Sequence, residues 1–426
     1  MNGAPQRAPQ RAPQPAPQPA QRLQQVLTPV IPEISAVVRA TPGCLSLAQG
    51  MVAWGPPPQV LEAVKSALST PWAAVPADPT PELNRYGAMA GDGALLQTIR
   101  GVLRDPNRPG GCLDLDAAEL LVTAGSNMAF NAIAQVITDP GDELIVPLPF
   151  YFNHVMAVQL AGGVAVAVEA GLVIDPERLA AAITPRTRAI VTVSPGNPSG
   201  VVQPQPVLDA INRLCAERGL FHIHDEAYEL FVHGDQPHWS PGSPAGSSAH
   251  TVSLFSLSKA YGMAGWRLGY AVVPQQLGAG LAQVQDTVLI CPPRLTQRAA
   301  QAALTAGPNW CRPHIAGLAD RQRQLIAAVA AARSRGVPVQ LVAEPNGAFY
   351  GLLALEAEAS ALLQRRGFDA RALMLALAAQ YRVAAVSGDA FGLQGHVLRL
   401  STGMLKETDL AEALERLFSG LTALLV

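Results

Sequence analysis

The chain has 426 residues, 49% of them hydrophobic, and a formal net charge of −2. That length exceeds what one hydrophobic core usually organises, so two folded domains are expected. The near-neutral charge argues against a protein built mainly to hold nucleic acid or an anionic membrane surface and leaves small molecules as the expected partners.

The first residues, MNGAPQRAPQRAPQPAPQPAQ, repeat Ala-Pro-Gln with occasional Arg and contain no apolar stretch of signal-peptide type, so residues 1–22 read as a disordered tail. From Leu23 to Val38 apolar residues recur at a loosely helical spacing, broken at Pro29 and Pro32, as in an arm that packs on something else. Short apolar runs then alternate with helical patterns: LLVTAG, ELIVPL, AVAVEA, AIVTVS and LFHIHDE. Strands that are almost continuously apolar and alternate with helices are what a parallel sheet covered on both faces requires, so the fold class is α/β. A long connecting helix is expected from about Asn309 to Ala332, and GAFYGLLAL and HVLRLSTG read as parts of a smaller α+β domain. The resulting division is a tail over 1–22, an arm and part of the small domain over 23–75, a large domain over 76–308 and a small domain over 309–426. The most apolar stretch, Ala161 to Ile174, is interrupted by Glu169, and no uncharged run is long enough to span a bilayer. Five scattered cysteines with no C-x-x-C pair disfavour a disulfide framework or a zinc site and suit a reducing cytoplasm.

Parallel sheets of this kind bind ligands beyond the carboxyl ends of their strands, and here each strand ends in polar or glycine residues. LLVTAGSNMAF is a strand, a turn at Gly125 and a helix start that aims the N–H groups of Ser126 and Asn127 at an anion, most simply a phosphate. AIVTVSPGNPSG presents Asn197, and LFHIHDEAY ends in Asp225 with Tyr228 one turn onward. In VSLFSLSKAYGMAGWRLGY, Ser256, Lys259 and Arg267 surround a glycine-rich turn, placing an amine near a hydroxyl and a guanidinium that can both hold phosphate oxygens. Each motif alone has an ordinary explanation as a cap, a turn or a solvated lysine; their order along the chain points to one shared ligand.

These segments resemble the fold type I pyridoxal-phosphate enzymes, specifically the class I and II aminotransferases. The resemblance runs from about Leu45 to Leu421 and includes TAGSNMAF, SPGNPSG, HDEAY, SLSKAYGMAGWRLGY and VLRLS, with typical spacings from Asp225 to Lys259 and on to Arg267. The turn begins with Ser194 where the family commonly has Asn, while Asn197 is retained. The resemblance implies a large domain with a mostly parallel, seven-stranded sheet, a smaller α+β domain and pyridoxal 5'-phosphate as cofactor. By the same resemblance Lys259 carries the cofactor and shuttles the substrate Cα proton, Asp225 pairs with the pyridinium nitrogen, and Tyr228 and Asn197 bond the ring hydroxyl oxygen. Tyr151 stacks on the ring, with Phe150 and Phe152 as neighbours that could replace it. Ser126, Asn127, Ser256 and Arg267 hold the phosphate beside Gly125, together with Tyr86 from a second subunit, which makes the protein a homodimer with shared sites. Arg399 grips the substrate carboxylate, and Gly50 lets the arm approach the substrate closely.

The run SLAQGMVAWGPPPQVLEAV, with PFYFNH, looks more like the plant-type aromatic and methionine aminotransferases than like dicarboxylate-specific enzymes. Arg294 could read a side-chain carboxylate, but a helix start is its simpler reading. His222 and His224 share a strand face, as metal ligands can, yet burial in the sheet explains them and no metal is expected. A carbon–sulfur lyase or an aminocyclopropane-carboxylate synthase on the same fold would need the same ring-binding residues and remains the alternative. A regulator would bring a DNA-binding domain, and a nicotinamide enzyme a G-x-G-x-x-G turn; the sequence has neither pattern.

Overall fold

The computed structural model describes residues 18–69 and 83–426. Residues 1–17 of the Ala/Pro/Gln tail and the 75/76 boundary lie outside the described residues; Gln21–Gln24 form a turn of 3-10 helix. The arm helix spans Val30–Ala40. The sequence suggested breaks at both prolines, but only Pro29 stands outside the helix. Pro32 fits within the first turn, where a backbone N–H would have no intrahelical partner. A two-residue strand, β1 (Leu45–Ser46), follows.

The central sheet, among the described residues, has seven strands: β2 (Ala118–Thr123), β3 (Glu143–Pro147), β4 (Val164–Val168), β5 (Thr187–Val193), β6 (Phe221–Asp225), β7 (Thr251–Ser256) and β8 (Gly269–Pro274). Their order is β2-β8-β7-β6-β5-β3-β4, with β8 alone antiparallel to its neighbours. Successive side chains leave opposite faces of a strand, so Leu144 and Val146 enter one core with Phe130 and Ile133, while Ile145 enters another with Ile190, Ile211 and Cys215. Burial on both faces is why these strands read as unbroken apolar runs. β4, at the sheet edge, leaves Val164 48% exposed, and its apolar pattern is correspondingly weaker in burial.

Register decides what the strand ends bring together. Val193 lies opposite Asp225, and Asp225 opposite Leu254. Gly269 lies opposite both Thr123 and Ser256, so the reversed strand β8 begins at the edge where its neighbours end and delivers Arg267 beside Ser126 and Ser256. The order also reverses direction beside β3, with β4 on one side and β5 on the other, the kind of switch point at which a crevice opens.

A helix over Pro308–Ser334, close to the expected extent, leads to a second sheet. Its strands are β9 (Val339–Leu341) and β10 (Tyr350–Leu355), then, after β11 (Val383–Ala384), which pairs with β1, β12 (Val386–Ser387) and β13 (Val397–Ser401). The second sheet is antiparallel in the order β12-β13-β10-β9. It shares a core with the arm and the terminal helix through Ile34, Leu353, Leu398 and Leu417. Among the described residues no helix is long and apolar enough to cross a membrane.

Candidate active site

A cavity of about 570 Å³ opens where the carboxyl ends of the central sheet meet the second sheet and the arm. Of the residues that the resemblance assigns to cofactor or substrate, all but Gly125 and Tyr86 line it. Gly125 caps the helix Ser126–Ile137 with φ of 88°, a left-handed conformation that favours glycine, and a Cβ there would lie 2.5 Å from the Arg267 guanidinium. Arg267 itself has φ of 51°, which folds its side chain back so that it donates to the carbonyls of Ala264, at 2.9 Å, and Ala124, at 3.3 Å. Ser126 and Asn127 open the helix with first-turn N–H groups that no carbonyl of their own helix can satisfy. Ser256, at the end of β7, accepts from the N–H of Ser258 at 3.2 Å. The helix terminus, the hydroxyl and the guanidinium converge as an anion site.

Asp225 ends β6, buried, with Oδ1 accepting from the N–H of Ala227 at 3.0 Å and Oδ2 lying 3.2 Å from Nε2 of His154. The Lys259 amine donates to the carbonyl of Gly50 at 2.6 Å. Burial, then the charges of Arg399 and Arg267, pull the Lys259 ammonium down to about 8, with Asp225 acting the other way. An amine so placed is neutral in a useful fraction near neutral pH and can act as a nucleophile or base.

Tyr151 lines the cavity edge-on to His154, with ring centroids 5.1 Å apart, and its hydroxyl accepts from Asn153 at 2.8 Å. Phe152 also lines the cavity, whereas Phe150 packs away from it into the cores. Asn197 accepts from Arg399 Nη1 at 3.1 Å, and Arg399 Nη2 donates to the carbonyl of Ala48 at 2.5 Å. Arg399 is 2% exposed, and its buried Nε has no partner among the described residues. A guanidinium held this way has spare donors directed at an incoming carboxylate.

Sequence reasoning missed two residues. His154 stood in PFYFNH, and a lone histidine on a helix carries no local signal of its reach to a strand end. Tyr350 stood in GAFYGLLAL and read as a core aromatic, but its hydroxyl lies 2.8 Å from that of Tyr228 and its ring lies under Arg399. A Cβ at Gly50 would fall 2.6 Å from the Tyr350 hydroxyl, which is the steric reason that position is glycine.

The structure does not bring Tyr86 into this cavity; it is 78% exposed. Arg294 begins the helix Arg294–Ala306 and lies 3.6 Å from the carboxylate of Asp92. His222 and His224 both turn a ring nitrogen to the hydroxyl of Thr192, at 2.8 and 2.7 Å. Glu226, Glu229 and His238 cluster closely enough to suggest a cation, and the guanidinium of Arg108 fills that role, bonding Glu226 at 3.2 Å and Glu229 at 2.6 Å.

Residues 42–417 match the model of a family described as aminotransferase class I and II. An aromatic aminotransferase of Arabidopsis thaliana is 32% identical over 93% of this chain and 94% of its own length. An aspartate/prephenate aminotransferase of Thermus thermophilus is 35% identical over 78% of this chain and 82% of its own. Among solved structures, a single mutant of the Thermus thermophilus aspartate aminotransferase superposes with a TM-score of 0.81 at 30% identity, covering 95% of this chain and 100% of that one. The aromatic aminotransferase of Pyrococcus horikoshii does so with a TM-score of 0.78 at 27% identity, covering 92% and 99%.

Proposed function

The chain belongs to the class I and II aminotransferases, and from that premise we propose that it moves the amino group of an aromatic L-amino acid or methionine to a 2-oxo acid, using the cavity around Lys259. The fold is the fold type I of this family, the cofactor is pyridoxal 5'-phosphate and the activity is that of an aminotransferase. These relatives do not favour a carbon–sulfur lyase or an aminocyclopropane-carboxylate synthase.

The residues fit the cofactor. The anion site whose Arg267 guanidinium a Cβ at Gly125 would displace, the buried Asp225 carboxylate and the amine lowered to about 8 match a phosphate, a pyridinium and an aldehyde in turn. When bound, the cofactor supplies an electron sink for charge that develops at the substrate Cα. Ser126, Asn127, Ser256 and Arg267 would hold its phosphate, beside Gly125, and Asp225 its ring nitrogen. Asn197 and Tyr228 would bond its ring oxygen, and Tyr151 would stack on the ring. Lys259 would carry it between turnovers and, once released, take the proton from the substrate Cα. Arg399 would fix the α-carboxylate so that the Cα proton faces Lys259. Gly50 would keep the arm close without blocking the substrate.

One observation carries the choice of substrate. Among the described residues lining the cavity, the cations are Lys259, Arg267 and Arg399, each with a task already, while the arm side is Pro29, Ile31, Pro32 and Met51 with the uncharged Ser35, Gln49 and Gly50. Arg294, the remaining candidate for a side-chain carboxylate, is engaged by Asp92. A largely apolar, uncharged wall without a spare cation favours an apolar side chain over a second carboxylate.

Tyr86 is exposed, the N–H of Gly87 donates to Cys291 Sγ at 3.2 Å, and next to that sulfur Ile290 is 43% exposed; such an exposed apolar surface supports a homodimer in which Tyr86 reaches the partner's phosphate. The core that Ile34, Leu353, Leu398 and Leu417 form apart from that of Leu144 and Val146 supports an arm over 23–75, a large domain over 76–308 and a small domain over 309–426, joined by a third core in which Ile315 and Tyr350 pack with Phe255; five unpaired cysteines support a cytoplasmic location. The test of substrate choice is to add single amino acids to the holoenzyme and follow its visible absorbance, with products identified by mass. Phenylalanine, tyrosine, tryptophan or methionine should bleach the band with formation of the matching oxo acid, and a second oxo acid should restore it. Faster bleaching by aspartate or glutamate would overturn the substrate assignment, and release of ammonia or a thiol without restoration would overturn transamination.

A further inference from the structure

We infer that Tyr350 is a positioning residue that donates its hydroxyl proton to Tyr228, so that the Tyr228 proton is aimed into the cofactor cavity, while its ring supports Arg399 on the substrate side. The inference rests on the reading of Tyr228 and Arg399 given above. Tyr228 lies at the end of the central sheet and Tyr350 begins β10 of the second sheet, and their hydroxyls are 2.8 Å apart. Two phenols in one hydrogen bond have two protons, of which one lies between them and the other is free to point elsewhere. Which phenol donates therefore decides whether Tyr228 offers the cavity a proton or a lone pair.

The surroundings select the direction. Tyr350 is 0% exposed, so packing holds its ring, and its backbone carbonyl accepts from Gln322 at 2.6 Å. Among the charged or titratable groups near the two phenols, Tyr151, Asp225 and Arg399 act on them most, and Lys259 lines the same cavity, bonded to the carbonyl of Gly50. Of these, Asp225 has both oxygens engaged, by the N–H of Ala227 and by His154, and the Tyr151 hydroxyl already accepts from Asn153. Burial raises both phenols, but the guanidinium of Arg399, 4.7 Å from the Tyr350 ring centroid, opposes it at Tyr350, which is held at about 12. Among the described residues no cation lies over the Tyr228 ring, and Tyr228 is pushed further up by burial and by Tyr350 itself. The more acidic phenol is the better donor, so the shared proton belongs to Tyr350. Accepting that bond polarises Tyr228 and strengthens its own donation to the cofactor ring oxygen.

One side chain thus touches both halves of the site. Its hydroxyl serves the phenol that faces the cofactor, and its ring lies against the guanidinium that faces the substrate carboxylate, a contact that also constrains Arg399.

The two halves separate by substitution. In substrate-free holoenzyme, the pH midpoint of the cofactor's visible absorbance reports how well the protein stabilises the ring oxygen in its anionic form. Tyr350→Phe keeps the ring and removes the proton, and should raise that midpoint by about half a unit to one unit. In a Tyr228→Phe background the same substitution should add nothing, because its effect passes through Tyr228. Tyr350→Leu, which also removes the ring, should raise KM for the amino acid several-fold above that of Tyr350→Phe. A midpoint unmoved by Tyr350→Phe, or moved equally in both backgrounds, overturns the proton assignment, and equal KM values for the Phe and Leu variants overturn the support of Arg399. Either failure, in a protein whose Lys259→Ala variant has lost the absorbance, counts against Tyr350 alone. A Lys259→Ala variant that retains the absorbance overturns the site reading and this inference with it.

Discussion

Nε2 of His154 lies 3.2 Å from Oδ2 of Asp225, and the imidazole stacks on Phe130 with centroids 4.1 Å apart, so a buried carboxylate is fixed by a ring that is itself held by packing. His154→Phe removes that partner and keeps the stacking surface. We expect kcat/KM to fall about tenfold, the size of one lost bond to a charged group. Asp225→Asn should cost far more, because it removes the charge rather than its orientation. Steady-state kinetics on both variants makes the comparison, and equal losses would contradict the division of roles.

Cofactor capture should depend on pH through Lys259. The neutral amine is the reactive form and the ammonium is held at about 8, so capture by apoprotein should slow about tenfold per unit below that point and level off above it. Stopped-flow absorbance after mixing with pyridoxal 5'-phosphate measures it. A rate that is flat between about pH 6 and 9 would contradict the assignment.

Arg399→Lys should raise KM for amino acid and oxo acid about ten- to a hundredfold, since an ammonium cannot reproduce a planar fork already anchored to Asn197 and Ala48. The visible spectrum of the substrate-free holoenzyme should change little. Substrate titrations on the same preparation read both quantities.

Arg108 is buried against Glu226 and Glu229, with His238 2.9 Å from Glu226. Arg108→Met leaves two carboxylates facing each other without a cation and should lower stability by about 3–5 kcal/mol in denaturant unfolding. Adding Glu229→Gln should recover part of the loss, because one of the repelling charges is then gone.

Acid should destabilise the protein through its buried histidines. Burial holds His224 at about 4, against an ordinary 6.5, so the folded state binds fewer protons than the unfolded state across that interval. Its contribution is therefore complete above about 6.5 and lost as pH falls towards about 4. His222 is shifted the same way, chiefly by burial, while Glu229, raised by burial, opposes the trend. Denaturant midpoints measured from pH 7 down to pH 4.5, roughly the span of this titration, should fall, and His224→Asn should flatten the curve.

Much of the site was legible because its motifs are local. A strand followed by a glycine or proline turn and a polar residue fixes a backbone path within a few positions, so Ser126, Asn197, Asp225 and Lys259 could be named from neighbours in sequence. The parallel sheet was legible for a similar reason, since burial on both faces leaves an unbroken apolar run. Pro32 shows the limit even of local rules, because its effect depends on where the helix begins.

By itself, the sequence determined the strand-end residues, the α/β class and the family resemblance, all of which follow from short-range pattern. Only the tertiary structure decided that His154 meets Asp225, that Asp92 engages Arg294, that Arg108 fills the acidic cluster and that Tyr350 joins Tyr228 to Arg399. Those contacts join residues far apart in the chain through sheet register and through a core in which residues of both sheets, Tyr228 and Tyr350 among them, pack together. Apolar periodicity records that a side chain such as Tyr350 is buried, but not which partner it meets there.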